Sequence, residues 1–144
     1  MISPKKNILL VHSSNDLYGA SKIFLQLIDL FLTNGFNVYV VLPKKGKLDD
    51  FLNKKDIKVS YHELGVLRKK YLNPKGLINR LVTNIKAIKF LSNYIKVNSI
   101  DLVYTNTSTI LSGGIAAKKM MFQACFIFMK YSMEISYMKF LVEK

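Results

Sequence analysis

Two short polar segments carry the residue types that could do chemistry. Tyr18-Gly19-Ala20-Ser21 and Asn106-Thr107-Ser108-Thr109 each follow an apolar run and precede a stretch of helical pattern. Small residues at such a junction leave backbone N–H groups unscreened, and the start of the following helix adds its positive dipole end. Together they favour an anion. The hydroxyls of the second segment could bind a sugar or a phosphate. Each segment also has a plain structural reading: an ordinary strand-to-helix turn at Gly19, and a helix N-cap at Asn106, Thr107 and Ser108. His12 closes the first apolar run, either bordering a cleft or capping a buried strand. His62 reads as a surface residue of a strand. Asp16 has the chemistry of a general base and equally that of a loop cap.

The elements that must position these segments follow from hydropathy patterning. A continuous apolar run over 8–12 reads as a buried parallel strand. A helix follows over 22–34. Its polar residues Lys22, Gln26, Asp29 and Thr33 form one narrow stripe, so the rest of its surface is apolar and needs cover on more than one side. Asn34-Gly35 is a helix stop. A second strand spans 38–42, then comes a turn at 43–46 and a short helix over 48–55 with Leu48, Phe51 and Leu52 on one face. A third strand over 57–62 alternates as an edge strand does. Pro74 opens a helix reaching about residue 97, with Ile78, Leu81, Ile85, Ile88 and Ile95 as its apolar stripe. A fourth strand covers 100–105. A helix over 110–121 contains Ser112, Gly113 and Gly114, small enough for close approach to a sheet, and a fifth strand covers 124–129. Alternating strands and helices imply an α/β fold: a three-layer, Rossmann-like, mostly parallel sheet with right-handed crossovers. Residues 1–130 form one domain, and 131–144 are a tail of unassigned structure.

Composition narrows the function classes. The chain has 144 residues, half of them apolar, enough for one sizeable core. A single cysteine, Cys125, forbids an internal disulfide and fits a reducing compartment. Two histidines and one cysteine are too few for a structural zinc site, so no metal is expected. No apolar run is long enough to span a bilayer, and the sequence is read as soluble and cytoplasmic. The formal charge is +13, from 22 Lys and Arg against 9 Asp and Glu. Between Glu63 and Asp101 no acid offsets Arg68, Lys69, Lys70, Lys75, Arg80, Lys86, Lys89 and Lys96. Such a field draws anionic partners. It is either a solvated face or a peripheral docking patch on the inner face of an anionic membrane, carried foremost by Arg68, Lys69, Lys70, Lys75 and Arg80. Nucleic acid is disfavoured, because Tyr71 and Tyr94 are too sparse for stacking platforms.

The order of these signals resembles the N-terminal, subfamily-4-like domain of family 4 glycosyltransferases of the GT-B fold. The resemblance rests on Ile8 to His12 followed by Tyr18-Gly19-Ala20-Ser21; on Gly35-Phe36-Asn37-Val38; on Pro43-Lys44-Lys45-Gly46-Lys47-Leu48; and on Asp101-Leu102-Val103-Tyr104-Thr105-Asn106. It covers roughly residues 5–130. Two departures stand out. Ser21 replaces the glutamate usual after Gly-Ala, and Tyr131-Ser132-Met133-Glu134 matches a His-x-[RH]-Glu pattern only at Glu134. The resemblance implies the acceptor-side half of a hexosyltransferase-type enzyme that moves a sugar from a nucleotide-sugar to a polysaccharide or glycolipid acceptor. It implies no cofactor and no metal, and it makes Glu134 a weak catalytic candidate. The donor-binding half has no counterpart in these 144 residues. The chain is thus expected to be inactive alone, as a truncated relic or as one part of a split enzyme with a separately encoded partner. The alternative is a non-enzymatic Rossmann-like binding or regulatory domain. A dinucleotide-binding domain is disfavoured by the absence of G-x-G-x-x-G.

Overall fold

A computed structural model describes residues 5–66, 71, 73–106, 111–119 and 123–126. The elements run β1 (Asn7–Val11), α1 (Gly19–Thr33), β2 (Asn37–Leu42), α2 (Asp49–Asn53), β3 (Lys58–Tyr61), α3 (Pro74–Val97), β4 (Leu102–Thr105), α4 (Leu111–Lys119) and β5 (Gln123–Phe126). The five strands form one sheet in the order β3-β2-β1-β4-β5. Every neighbouring pair is parallel, with Leu10 beside Val40 on one side and Tyr104 on the other.

The sheet is central because β1 has two apolar faces. Ile8 and Leu10 pack with Phe24, Leu27, Ile28 and Phe31 of α1 and with Leu48 and Leu52 around α2. Leu9 and Val11 point the other way, onto Leu91 and Ile95 of α3 and Ala116 of α4. This is the period-two alternation of a strand buried on both sides, and it makes three layers. Helix α4 reaches the sheet closely at Gly113, where an added Cβ would lie 2.6 Å from the Thr105 hydroxyl. That is the close approach expected of the Ser112-Gly113-Gly114 run.

Helix ends obey local chemistry. Gly35 sits at φ +80° after α1. Phe36 N–H bonds to Phe31 C=O and Gly35 N–H to Leu32 C=O, both at 3.0 Å, while the Phe31 and Phe36 rings meet edge to face at 5.4 Å. This is a complete Schellman stop with its apolar contact. At the start of α3 the Asn73 side chain accepts from Gly76 N–H at 2.7 Å, with Pro74 in the first turn.

Three expectations are corrected. Helix α1 begins at Gly19 rather than Lys22, so Gly19, Ala20 and Ser21 are its first turn and not a loop. Phe51 does not share the core with Leu48 and Leu52; it is 41% exposed. The stripe on α3 divides: Ile95 is buried with Ala87 and Leu91, but Ile78, Leu81 and Ile85 face outward. The buried residues of α3 all fall in its second half, where Leu91 and Ile95 join the cluster of Leu9, Val11 and Val103.

Candidate functional site

The chain direction reverses its progress across the sheet between β1 and β4. Strands β2 and β3 are added on one side of β1, and β4 and β5 on the other. In open α/β sheets the crevice beyond the carboxyl ends of the strands at such a switch is where ligands bind. Asn106, at the carboxyl end of β4, and the start of α1 at Gly19, after the loop that follows β1, meet there.

His12 ties them together. Its Nε2 lies 3.0 Å from the Ser21 hydroxyl and its Nδ1 2.8 Å from the Asn106 side-chain nitrogen. An amide nitrogen only donates, so Nδ1 is the acceptor, and the imidazole proton resides on Nε2 and points at Ser21. The Tyr104 hydroxyl donates to Asn106 Oδ1 at 3.3 Å, and Asn106 Nδ2 also reaches Ala20 C=O at 3.3 Å, which fixes the amide's orientation. Phe24 stacks on the imidazole with centroids 4.6 Å apart. His12, Ser21 and Asn106 are all buried. Burial lowers the His12 pKa to about 4, so the imidazole is neutral at pH 7.

What remains outward is backbone. Ser21 spends its hydroxyl on His12, and Asn106 spends its amide on His12 and Ala20. Gly19 is exposed, a Cβ built there would meet nothing within 4 Å, and Tyr18 beside it is 76% exposed. Neither a positive φ nor a protein neighbour requires glycine at this helix start. Thr107 and Ser108 lie outside the described residues, as does Glu134.

A cleft of about 190 Å³ opens next to this unit, on the β2–β3 side. Ser13, Ser14, Asn15 and Asp16 form one wall, with Pro43, Lys44, Glu63, Leu64, Gly65, Val66, Tyr71 and Arg80 around the rest. Asp16 acts as a loop cap: its carboxylate accepts from the Ser14 hydroxyl at 3.1 Å. The Arg80 guanidinium lies over the Tyr71 ring at 4.3 Å and donates to Asn79 Oδ1. Lys75, in the same first turns of α3, is exposed; Arg68, Lys69 and Lys70 lie outside the described residues. His62 is not a free surface residue, since its ring stacks on Phe90 at 4.3 Å.

Sequence reasoning passed over the residues that hold the cleft wall. The Asn15 amide donates to Lys44 C=O (2.5 Å) and Asp49 Oδ2 (3.2 Å), and its Oδ1 accepts from Leu48 N–H. Asp49 also accepts from Gly46 N–H at 2.6 Å and from the Tyr61 hydroxyl at 2.8 Å. Thus one carboxylate and one amide bind the β1 loop, the 43–48 turn and β3 together. The spacing Gly46-x-x-Asp49 at a helix start was the available signal. Partial burial and the Asp49 carboxylate push the Tyr61 phenol up to about 12. Asp49→Ala is expected to cost about 2 kcal/mol, because buried donors lose their acceptor. Urea unfolding checks the loss, and ultraviolet titration of the phenol should show Tyr61 moving back toward 10.

The fold and crevice define an α/β Rossmann-like unit matching one half of the GT-B glycosyltransferase fold. Solved structures share it, among them the following three. A glycosyltransferase from Rickettsia africae superposes with TM-score 0.66 at 19% identity, over 96% of this chain and 34% of that one. MurG of Acinetobacter baumannii gives 0.63 at 17% identity, over 84% and 34%. HepE of Anabaena, in complex with UDP and glucose, gives 0.56 at 19%, over 84% and 29%. The chain therefore spans about a third of the length of these proteins. By sequence, no family profile and no curated protein matches it. Among the described residues no helix is long and apolar enough to cross a membrane.

Proposed function

We propose that this chain is the acceptor-side half of a family 4-like glycosyltransferase, moving a sugar from a nucleotide-sugar to a polysaccharide or glycolipid acceptor. One observation carries the reading: His12 joins the β1 and β4 strand-end segments into one buried unit beneath an open helix start at the switch point. The Gly19 and Ala20 N–H groups, with the dipole of α1, suit the diphosphate leaving group, whose negative charge grows as the glycosidic bond to it breaks. Asp16, Glu63, Arg80 and the hydroxyls of Ser13 and Ser14 suit a polyol acceptor in the cleft. The UDP and glucose bound to HepE support a nucleotide-sugar as the donor class. The nucleotide itself is assigned to a second, donor-binding half.

The isolated chain is expected to release no UDP from UDP-sugars above background, and an added donor-binding GT-B half is expected to restore release. Gly19→Asp, which sets a carboxylate against the diphosphate, should then lower the restored rate by about a hundredfold, as loss of an oxyanion donor does. Turnover by the chain alone would refute the need for a partner. Failure with donor-binding halves would favour a non-enzymatic binding domain on the same fold.

A further inference from the structure

The cleft beside β2 and β3 is lined by ionised side chains of both signs that do not neutralise one another. Asp16 and Glu63 are its carboxylates, Lys44 and Arg80 its cations. Among the described residues the only ion pair is Lys55 with Asp29, outside the cleft. Arg80 is the most constrained of the four. Its guanidinium lies over the Tyr71 ring at 4.3 Å, and its Nη2 donates to Asn79 Oδ1 at 2.7 Å. Its position is therefore set before any ligand arrives. Its Nε is buried and has no hydrogen-bond partner. A guanidinium stripped of part of its water and lacking an ion-pair partner gains more from an anion than one on an open surface. Lys44 is exposed on the turn after β2. Its backbone carbonyl accepts from Asn15 Nδ2, which ties the base of its side chain to the cleft wall.

We propose that this cleft binds a sugar through a negatively charged substituent, a phosphate or a carboxylate, held by Arg80 and Lys44. Asp16 and Glu63 then accept from the ring hydroxyls, since an ionised carboxylate only accepts. A guanidinium presents adjacent N–H donors that match two oxygens of a phosphate or a carboxylate. A neutral sugar would leave both cations without a counter-charge, and a cationic amino sugar would face them as like charge. The cleft is separate from the helix start assigned to the leaving diphosphate, because neither Tyr18 nor Gly19 lines it. That the charged sugar is the acceptor of a transfer rests on the function proposed above. The anion site stands on the cleft alone.

The test is titration of the full chain with glucose 6-phosphate, glucuronate and glucose at constant ionic strength, followed by amide proton–nitrogen NMR. At least one of the anionic sugars should bind about tenfold or more tighter than glucose, and the tighter of the two distinguishes phosphate from carboxylate. Arg80→Gln should remove about tenfold of that advantage. Lys44→Gln, on an exposed turn, should remove up to about fivefold, and it decides the matter if Arg80→Gln fails to fold. Lys96→Gln, exposed in the last turn of α3, controls for the overall charge of +13 and should bind like the parent. No binding of either anionic sugar, equal binding of glucose, cleft variants that bind like the parent, or an equal loss in Lys96→Gln would overturn the proposal. The readout does not depend on turnover. An intact charge preference with no UDP release from any donor-binding half would refute the transferase reading and leave the anion site standing.

Discussion

Phe24→Ala lowers the unfolding free energy by about 3–5 kcal/mol, the cost of deleting a buried aromatic ring from a packed core. Phe24 is fully buried between α1 and the sheet, so no exposed surface is recovered when the ring is removed. For a domain near this size the melting temperature should fall by roughly 10 °C or more. The loss has a second part. The Phe24 ring covers the His12 imidazole in a near-parallel stack, 15° between planes, and helps keep water from it. With the ring gone, the imidazole is partly hydrated and its pKa should climb back toward 6.5, which proton NMR of the His12 ring reads directly. Phe24→Leu, which refills most of the volume, should recover much of the stability. A melting shift of only a degree or two for the alanine variant would mean that α1 is not seated on β1 as described.

Much of this architecture was legible because it is local. The continuous apolar runs gave β1, β2 and β4; Asn34-Gly35 gave the end of α1; Pro74 gave the start of α3. The Gly19 and Asn106 segments were legible as strand-end segments on parallel strands, and the sheet brings them to the same edge. What the sequence could not show is what side chains do across the sheet. His12 and Asn106 are 94 residues apart, yet they bond at 2.8 Å. Nothing in either neighbourhood names the other as partner. The same holds for Asn15 with Asp49, whose network spans the β1 loop and the start of α2. Ser21 reads from the sequence as the end of an anion-facing segment and as a missing glutamate; the structure turns its hydroxyl inward, where it accepts a hydrogen bond from His12 Nε2–H. The α3 stripe misled for a complementary reason. Helical periodicity states which residues share a face and is silent on whether that face meets a sheet along its whole length, and the buried residues of α3 all fall in its second half.

The tie at His12 also sets a pH dependence whose sign follows from burial. Folding lowers its pKa from 6.5 to about 4. Above pH 6.5 neither the folded nor the unfolded chain binds a proton at this site, and the full contribution to stability is present. As pH falls from 6.5 toward 4 the unfolded chain takes up the proton and the folded one does not, so stability declines. Below about 4 both bind it and this loss levels off, having reached about 3 kcal/mol. A proton forced onto Nδ1 would face the Asn106 amide donor, two donors with nothing between them. Acid therefore unties the β4 segment from the β1 segment as well as weakening the fold. Urea unfolding at pH 7 and pH 4.5 measures this, with His12→Leu as the reference that cannot titrate. The variant is less stable at pH 7, because Ser21 and Asn106 lose their common partner. Its loss between the two pH values should be smaller than that of the parent by about 2–3 kcal/mol. Equal losses would show that His12 is solvated in the folded chain, and the two segments at the switch point would then lack the link on which the shared crevice depends.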